Sequence, residues 1–62
     1  MEEVAEKLRR MLNVEILKIE EDGNRLVVYV PEDQIRIAVG RGGAAVKAAE
    51  LVLGRRIEVK SK

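Results

Sequence analysis

Hydrophobic positions along this chain alternate between helical and strand spacing, and the changes of period divide it into six elements. Glu2 to Leu12 carries Val4, Leu8 and Met11 at i, i+4 and i+7, which puts them on one face of a helix. Glu2 and Glu3 suit the positive end of its dipole, and Arg9 and Arg10 the negative end. Glu3 with Lys7 and Glu6 with Arg10 form i, i+4 pairs, each worth only a few tenths of a kcal/mol. Asn13 supplies the stop.

Val14 to Glu20 and Arg25 to Val30 are rich in β-branched residues and flank the turn cluster Glu21-Asp22-Gly23-Asn24, so they read as a hairpin. In the second strand Leu26, Val28 and Val30 share the core face, and Val27 and Tyr29 share the other. In the first strand Val14 and Ile16 compete with Leu17 and Ile19 for the inward face, and the balance favours Leu17 and Ile19. Pro31-Glu32-Asp33 is a helix-start signal. Ile35, Ala38 and Val39 then follow at i, i+3 and i+4, so Gln34 to Val39 reads as a helix, although Ile35, Ile37 and Val39 also alternate as a strand would. After Gly40-Arg41-Gly42-Gly43, Ala44 to Leu53 is a second helix of this half, with Val46, Ala49 and Leu53 in an apolar row and Lys47 and Glu50 towards solvent. Gly54 ends it. Arg55 to Lys60 is a last strand with Ile57 and Val59 inward.

Three glycines in four positions permit positive φ angles and let another backbone come close. With helices on both sides, the second helix opens at the glycines with unpaired N–H groups and a positive dipole end, an arrangement that attracts phosphate oxygens. Were Gln34 to Val39 a strand instead, Gly40-x-Gly42-x-x-Ala45 would resemble a variant dinucleotide fingerprint, with Glu58 near the ribose-binding distance. A dinucleotide fold needs many more strands than this chain supplies, and Pro31-Glu32-Asp33 favours the helix. A P-loop is weaker still, because no Lys-Ser or Lys-Thr pair follows the glycines.

Val39, Gly40-Arg41-Gly42-Gly43, Ala44-Ala45 and Val46 together resemble the signature of the K-homology (KH) domain: an apolar residue, G-x-x-G, two residues and another apolar residue. The run Val30-Pro31-Glu32-Asp33-Gln34 leading into Val39-Gly40-Arg41-Gly42-Gly43 is most similar to KH domains of NusA-type transcription factors. The resemblance covers nearly the whole chain. It implies an α+β, type II KH fold of order α-β-β-α-α-β, a three-stranded mixed sheet with helices packed on one face, spanning residues 1 to 62 as a single domain.

The same resemblance implies a function. KH domains hold about four nucleotides of single-stranded RNA or DNA, with the G-x-x-G loop clamping the backbone. Carried onto this chain, Gly40 and Gly43 shape the loop, N–H groups near Arg41 to Ala44 contact phosphates, and Arg41 adds charge. Gly42 departs from loops that carry a second basic or polar residue there, which lowers the fixed charge. The groove walls are Ile37 or Val39, Val46 and the strand around Ile57, and the basic rims are Arg36, Lys47, Arg55 and Arg56. These rim residues, like Arg9 and Arg10, also fit plain solvated charge.

Charge sharpens this reading. The net charge of +1 is uninformative until the chain is divided after Asp33: residues 1–33 hold five basic and nine acidic side chains, a net −4, and residues 34–62 hold seven basic and two acidic, a net +5. The basic half contains the glycine loop, as a nucleic-acid binder requires. Tyr29 is the single aromatic residue, which argues against recognition by several stacked bases. Tyr29 itself fits a partly exposed sheet position better than a stacking platform.

Histidine and cysteine are absent and Ser61 is the one serine, so neither a nucleophile-base pair nor a Cys/His zinc site can be assembled. No enzymatic activity, cofactor or metal is expected. The absence of a membrane-length apolar run and the acidic N-terminus make a cytoplasmic setting the expectation. A single glycine loop predicts weak binding. NusA-type proteins carry such domains in tandem, so a second KH domain in a longer parent protein is the expected partner besides the nucleic acid; the chain also fits an excised, reconstructed or designed domain. The alternative is a structural or protein-interaction KH domain whose loop is only a helix corner.

Overall fold

The computed structural model describes residues 2–62. The expected period changes resolve into α1 (Glu2–Leu12), β1 (Lys18–Asp22), β2 (Arg25–Val30), α2 (Ile35–Val39), α3 (Ala44–Leu53) and β3 (Arg56–Ser61). The fold is α+β in the order α-β-β-α-α-β. β2 is the central strand, antiparallel to β1 and parallel to β3, so the sheet is mixed.

All three helices contribute to one core against one face of the sheet. Leu8 and Leu12 from α1, Ala38 from α2 and Ala49 from α3 meet Leu26, Val28 and Val30 of β2 and Ile57 of β3. The register explains the strand contribution: Leu26 lies beside Ile57 and Val28 beside Val59, so alternate residues of the two parallel strands share the inner face. Ala38 and Ala49 are fully buried, and their small side chains let the helices approach the sheet closely. A larger residue at either would overpack the core.

α1 ends as expected. Asn13 takes φ 58° and its N–H bonds to Arg9 O at 2.9 Å, the left-handed stop that Asn tolerates after a helix. Glu6 pairs with Arg10 at 3.6 Å and with Arg9 at 3.9 Å, whereas the anticipated Glu3–Lys7 pair does not form.

The first strand differs from the expectation of Val14 to Glu20. It begins four residues later and runs on to Asp22, which pairs with Arg25 across the two-residue turn Gly23-Asn24. Gly23 has φ +64°, the sign that short hairpin turns need at this position. Residues 14–17 are held instead by isolated bonds: Leu17 N–H to Tyr29 O at 2.8 Å, and Glu15 N–H to the side-chain oxygen of Gln34 at 2.8 Å. Strand alternation therefore does not extend through this segment. Val14 is buried, Ile16 and Ile19 pack against the core, and Leu17 is 45% exposed. Leu17 as an inward residue is thus corrected, while Ile19 is inward.

The opposite sheet face carries alternating charges from all three strands around Val27 and Tyr29. Lys18 pairs with Glu20 at 3.1 Å, Arg25 with Asp22 and with Glu58 at 2.6 and 3.0 Å, and Lys60 with Glu58 at 3.7 Å. Val27 is only 6% exposed although it lies on this face, because the aliphatic stems of long charged residues cover it.

Candidate nucleic-acid interface

Gln34 to Val39 is helical, not a strand: Glu32–Gln34 form a 3-10 turn after Pro31, and α2 follows directly. Ala38 is buried, Ile35 half-buried against the core and Ile37 51% exposed, a helical rather than an alternating pattern. The strand-glycine-helix unit of a dinucleotide site is therefore absent from this segment.

The glycines form the corner between α2 and α3. Gly40 closes α2 with its N–H on Arg36 O at 3.0 Å and takes φ 73°, ψ −170°, a region essentially restricted to glycine. A Cβ there would stand 3.1 Å from the Ala45 Cβ and 3.3 Å from the Ala45 N. Gly40 is thus required both by conformation and by close packing. Gly42 and Gly43 have φ 56° and 77° but open space around them, so their requirement is conformational alone.

α3 starts at Ala44 with no side-chain cap. The Ala44 N–H itself donates to Arg41 O, closing the 3-10 turn Arg41–Gly43, and the N–H groups that follow it lie at the positive end of the helix with no side chain capping them. Arg41, Gly42 and Ala44 are exposed, and Gly43 is half-buried. The loop thus presents backbone donors and one cation on the molecular surface.

Arg36, Arg41, Lys47 and Arg56 are exposed and enter no ion pair among the described residues. Arg55 is engaged differently. Its guanidinium lies 2.8 Å from Glu21 and donates to Gly23 O at 3.4 Å, tying the β1–β2 turn to the corner between α3 and β3. Among the apolar candidates, Ile37 is exposed and Val39 and Val46 are half-buried, whereas the Ile57 side chain is in the core with 7% exposure. Ile57 can offer a groove chiefly its backbone.

That backbone reveals a residue assigned differently by the sequence. Glu50 was expected to point into solvent, but its carboxylate accepts the Ile57 N–H at 2.9 Å. Its signal in the chain is that it is the single acid between Gln34 and Arg56. Gln34 also has a positional role, through its bond to Glu15; no spacing rule indicates a contact across 19 residues.

Tyr29 is half-buried on the open sheet face, away from the helices. Its hydroxyl donates to Glu20 Oε1 at 3.0 Å, and Lys62 Nζ lies 5.6 Å from the ring centroid. The hydrogen bond to Glu20 raises the phenol pKa above its ordinary value, with burial and the Glu20 charge acting in the same direction. Lys18, followed by Tyr29, lowers the Glu20 pKa by hydrogen bonding. The described residues contain no group of three Asp, Glu, His or Cys positioned to hold a metal ion, and no described helix is long and apolar enough to cross a membrane.

A family model described as "KH domain" matches residues 1–62. The crystal structure of APE1850 is similar, with a TM-score of 0.88 and 29% sequence identity over 97% of this chain. This chain spans 45% of the length of that one. No curated protein sequence matches significantly.

Proposed function

Because the chain belongs to the KH domain family, whose members generally bind single-stranded nucleic acids, we propose that it grips single-stranded RNA or DNA by the backbone in the loop Gly40 to Gly43. The reading rests above all on the loop itself. Its left-handed glycines bring exposed backbone beside the uncapped start of α3, with the unpaired Arg41 between them. Phosphate oxygens would approach the positive end of α3 and the exposed loop backbone, and Arg36, Lys47 and Arg56 would steer the strand from the rims. Ile37, Val39 and Val46 would offer aliphatic contact to bases. In this reading the whole chain is one type II KH domain of the NusA kind, a binding module with no catalytic step.

Titration with a mixed pool of short labelled single-stranded RNA, beside the double variant Arg41→Asp, Gly42→Asp, tests the clamp. Arg41 is exposed, and Gly42 has left-handed dihedrals that Asp tolerates, so the variant should fold. It should lose binding. Equal binding by the two folded proteins would reject the clamp.

A second reading draws on Leu51 and Val52, which are 85% and 59% exposed on the outer side of α3. Apolar side chains this open favour a protein-docking role, with a second KH domain in a longer parent protein as the partner. Linked domains would also strengthen a weak single clamp through effective concentration.

A further inference from the structure

β3 is an edge strand, so half of its backbone groups have no strand partner. Arg56 and Lys62 donate their N–H groups to Asn24 O and Val30 O, at 3.3 and 3.2 Å. Alternation along the parallel ladder therefore turns the N–H groups of Ile57, Val59 and Ser61 towards the free edge. Glu50 covers the first of these from α3.

Capping alone does not require a charge. A glutamine side chain would accept the same N–H, whereas a carboxylate beside the path of a polyanion adds repulsion. Glu50 nevertheless stands among Lys47, Arg55 and Arg56 on the wall of an open cavity of about 520 Å³ that Leu51 also lines. The Ile57 bond occupies only one of roughly four acceptor positions on a carboxylate. What remains is an acceptor-only group with its orientation held by the strand edge.

Such a group favours amino donors and disfavours carbonyl oxygens. Cytosine offers an exocyclic amino group where uracil offers a carbonyl oxygen, and carboxylates pair with the former. Resting on the nucleic-acid reading above, we infer that Glu50 is a specificity-determining residue that selects amino-bearing bases in the cavity beside α3 and rejects uracil and thymine. Leu51 supplies an apolar surface for the base, in a chain whose aromatic ring lies on the other side of the sheet.

Oligo(C) and oligo(U) of equal length differ in the required groups and little in size or stacking. Fluorescence anisotropy of the wild type should show oligo(C) binding roughly fivefold or more tighter than oligo(U), the lower end of what a good base contact gives. Glu50→Gln keeps an acceptor for Ile57 N–H while losing the charge and adding a donor. Its preference should fall towards unity, with oligo(U) gaining affinity. Glu50→Ala should lose the preference as well, and thermal melts of both variants check folding independently. An unchanged preference in folded Glu50→Gln, or equal wild-type binding to both oligomers, overturns the inference while leaving the clamp intact. Binding to neither oligomer by a wild type that also ignores the mixed pool rejects the clamp itself, and the selection by Glu50 with it.

Discussion

Tyr29 and Glu20 perturb each other in opposite directions, and the signs give opposite pH dependences. Lys18 and Tyr29 favour ionised Glu20, so its contribution to stability is present above the unfolded carboxyl pKa and is lost as pH falls through the lower folded value. The phenol, raised by its bond to Glu20, contributes below its unfolded pKa and loses that contribution as pH rises through the folded value. Because Tyr29 is the single aromatic residue, phenolate absorbance reports this group alone. Its midpoint should lie above that of an ordinary tyrosine and return towards it in Glu20→Ala. An unchanged midpoint in that variant would mean that the bond does not persist in solution. Residue identity made Tyr29 visible in the chain, but only the pairing Lys18↔Tyr29 and Ile19↔Val28 brings the Glu20 side chain within reach of its hydroxyl.

α1 is as much a part of the core as β2. Leu8 is fully buried and Leu12 almost so, and Val4 and Met11 pack at the margin. Leu8→Ala should cost about 2–5 kcal/mol, against a total stability of about 3–9 kcal/mol for a domain of this size. Thermal denaturation followed by circular dichroism should show a large drop in Tm or an unfolded chain. Leu51→Ala, on the exposed side of α3, should stay within about 0.5 kcal/mol of the parent. Similar losses at the two sites would contradict the packing of α1. The helical period disclosed both faces, since Leu8 recurs with Val4 and Met11. It did not disclose β1: the apolar residues from Val14 to Ile19 satisfy two alternations, and the hydrogen bonds that Leu17 and Glu15 donate to Tyr29 and Gln34 decide between coil and strand.

Across the whole molecule, the acidic first part and basic second part acquire a spatial meaning. The sheet absorbs much of the charge in ion pairs such as Arg25–Glu58, which joins the two parts. Arg36, Arg41, Lys47 and Arg56 remain unpaired among the described residues. With two or three phosphates neutralised on a single strand, the logarithm of the binding constant should fall with the logarithm of salt at a slope of about −2. Affinity measured over a salt series checks this. A slope near zero would remove the phosphates from the account, and a much steeper one would require rims beyond these residues.

The sequence by itself determined the order of elements, the helical corner at Gly40 to Gly43 and the inward residues of β2, because local rules govern each of these: period, helix-start residues and the dihedral freedom of glycine. The tertiary structure alone decided which cations stay free, where β1 begins and what Glu50 does. Those outcomes depend on partners distant in the chain. Arg55 reaches Glu21 across 34 residues, and Gln34 reaches Glu15 across 19. The Ile57 N–H is open to Glu50 because β3 lies at the edge of the sheet, a consequence of strand order that no local spacing carries.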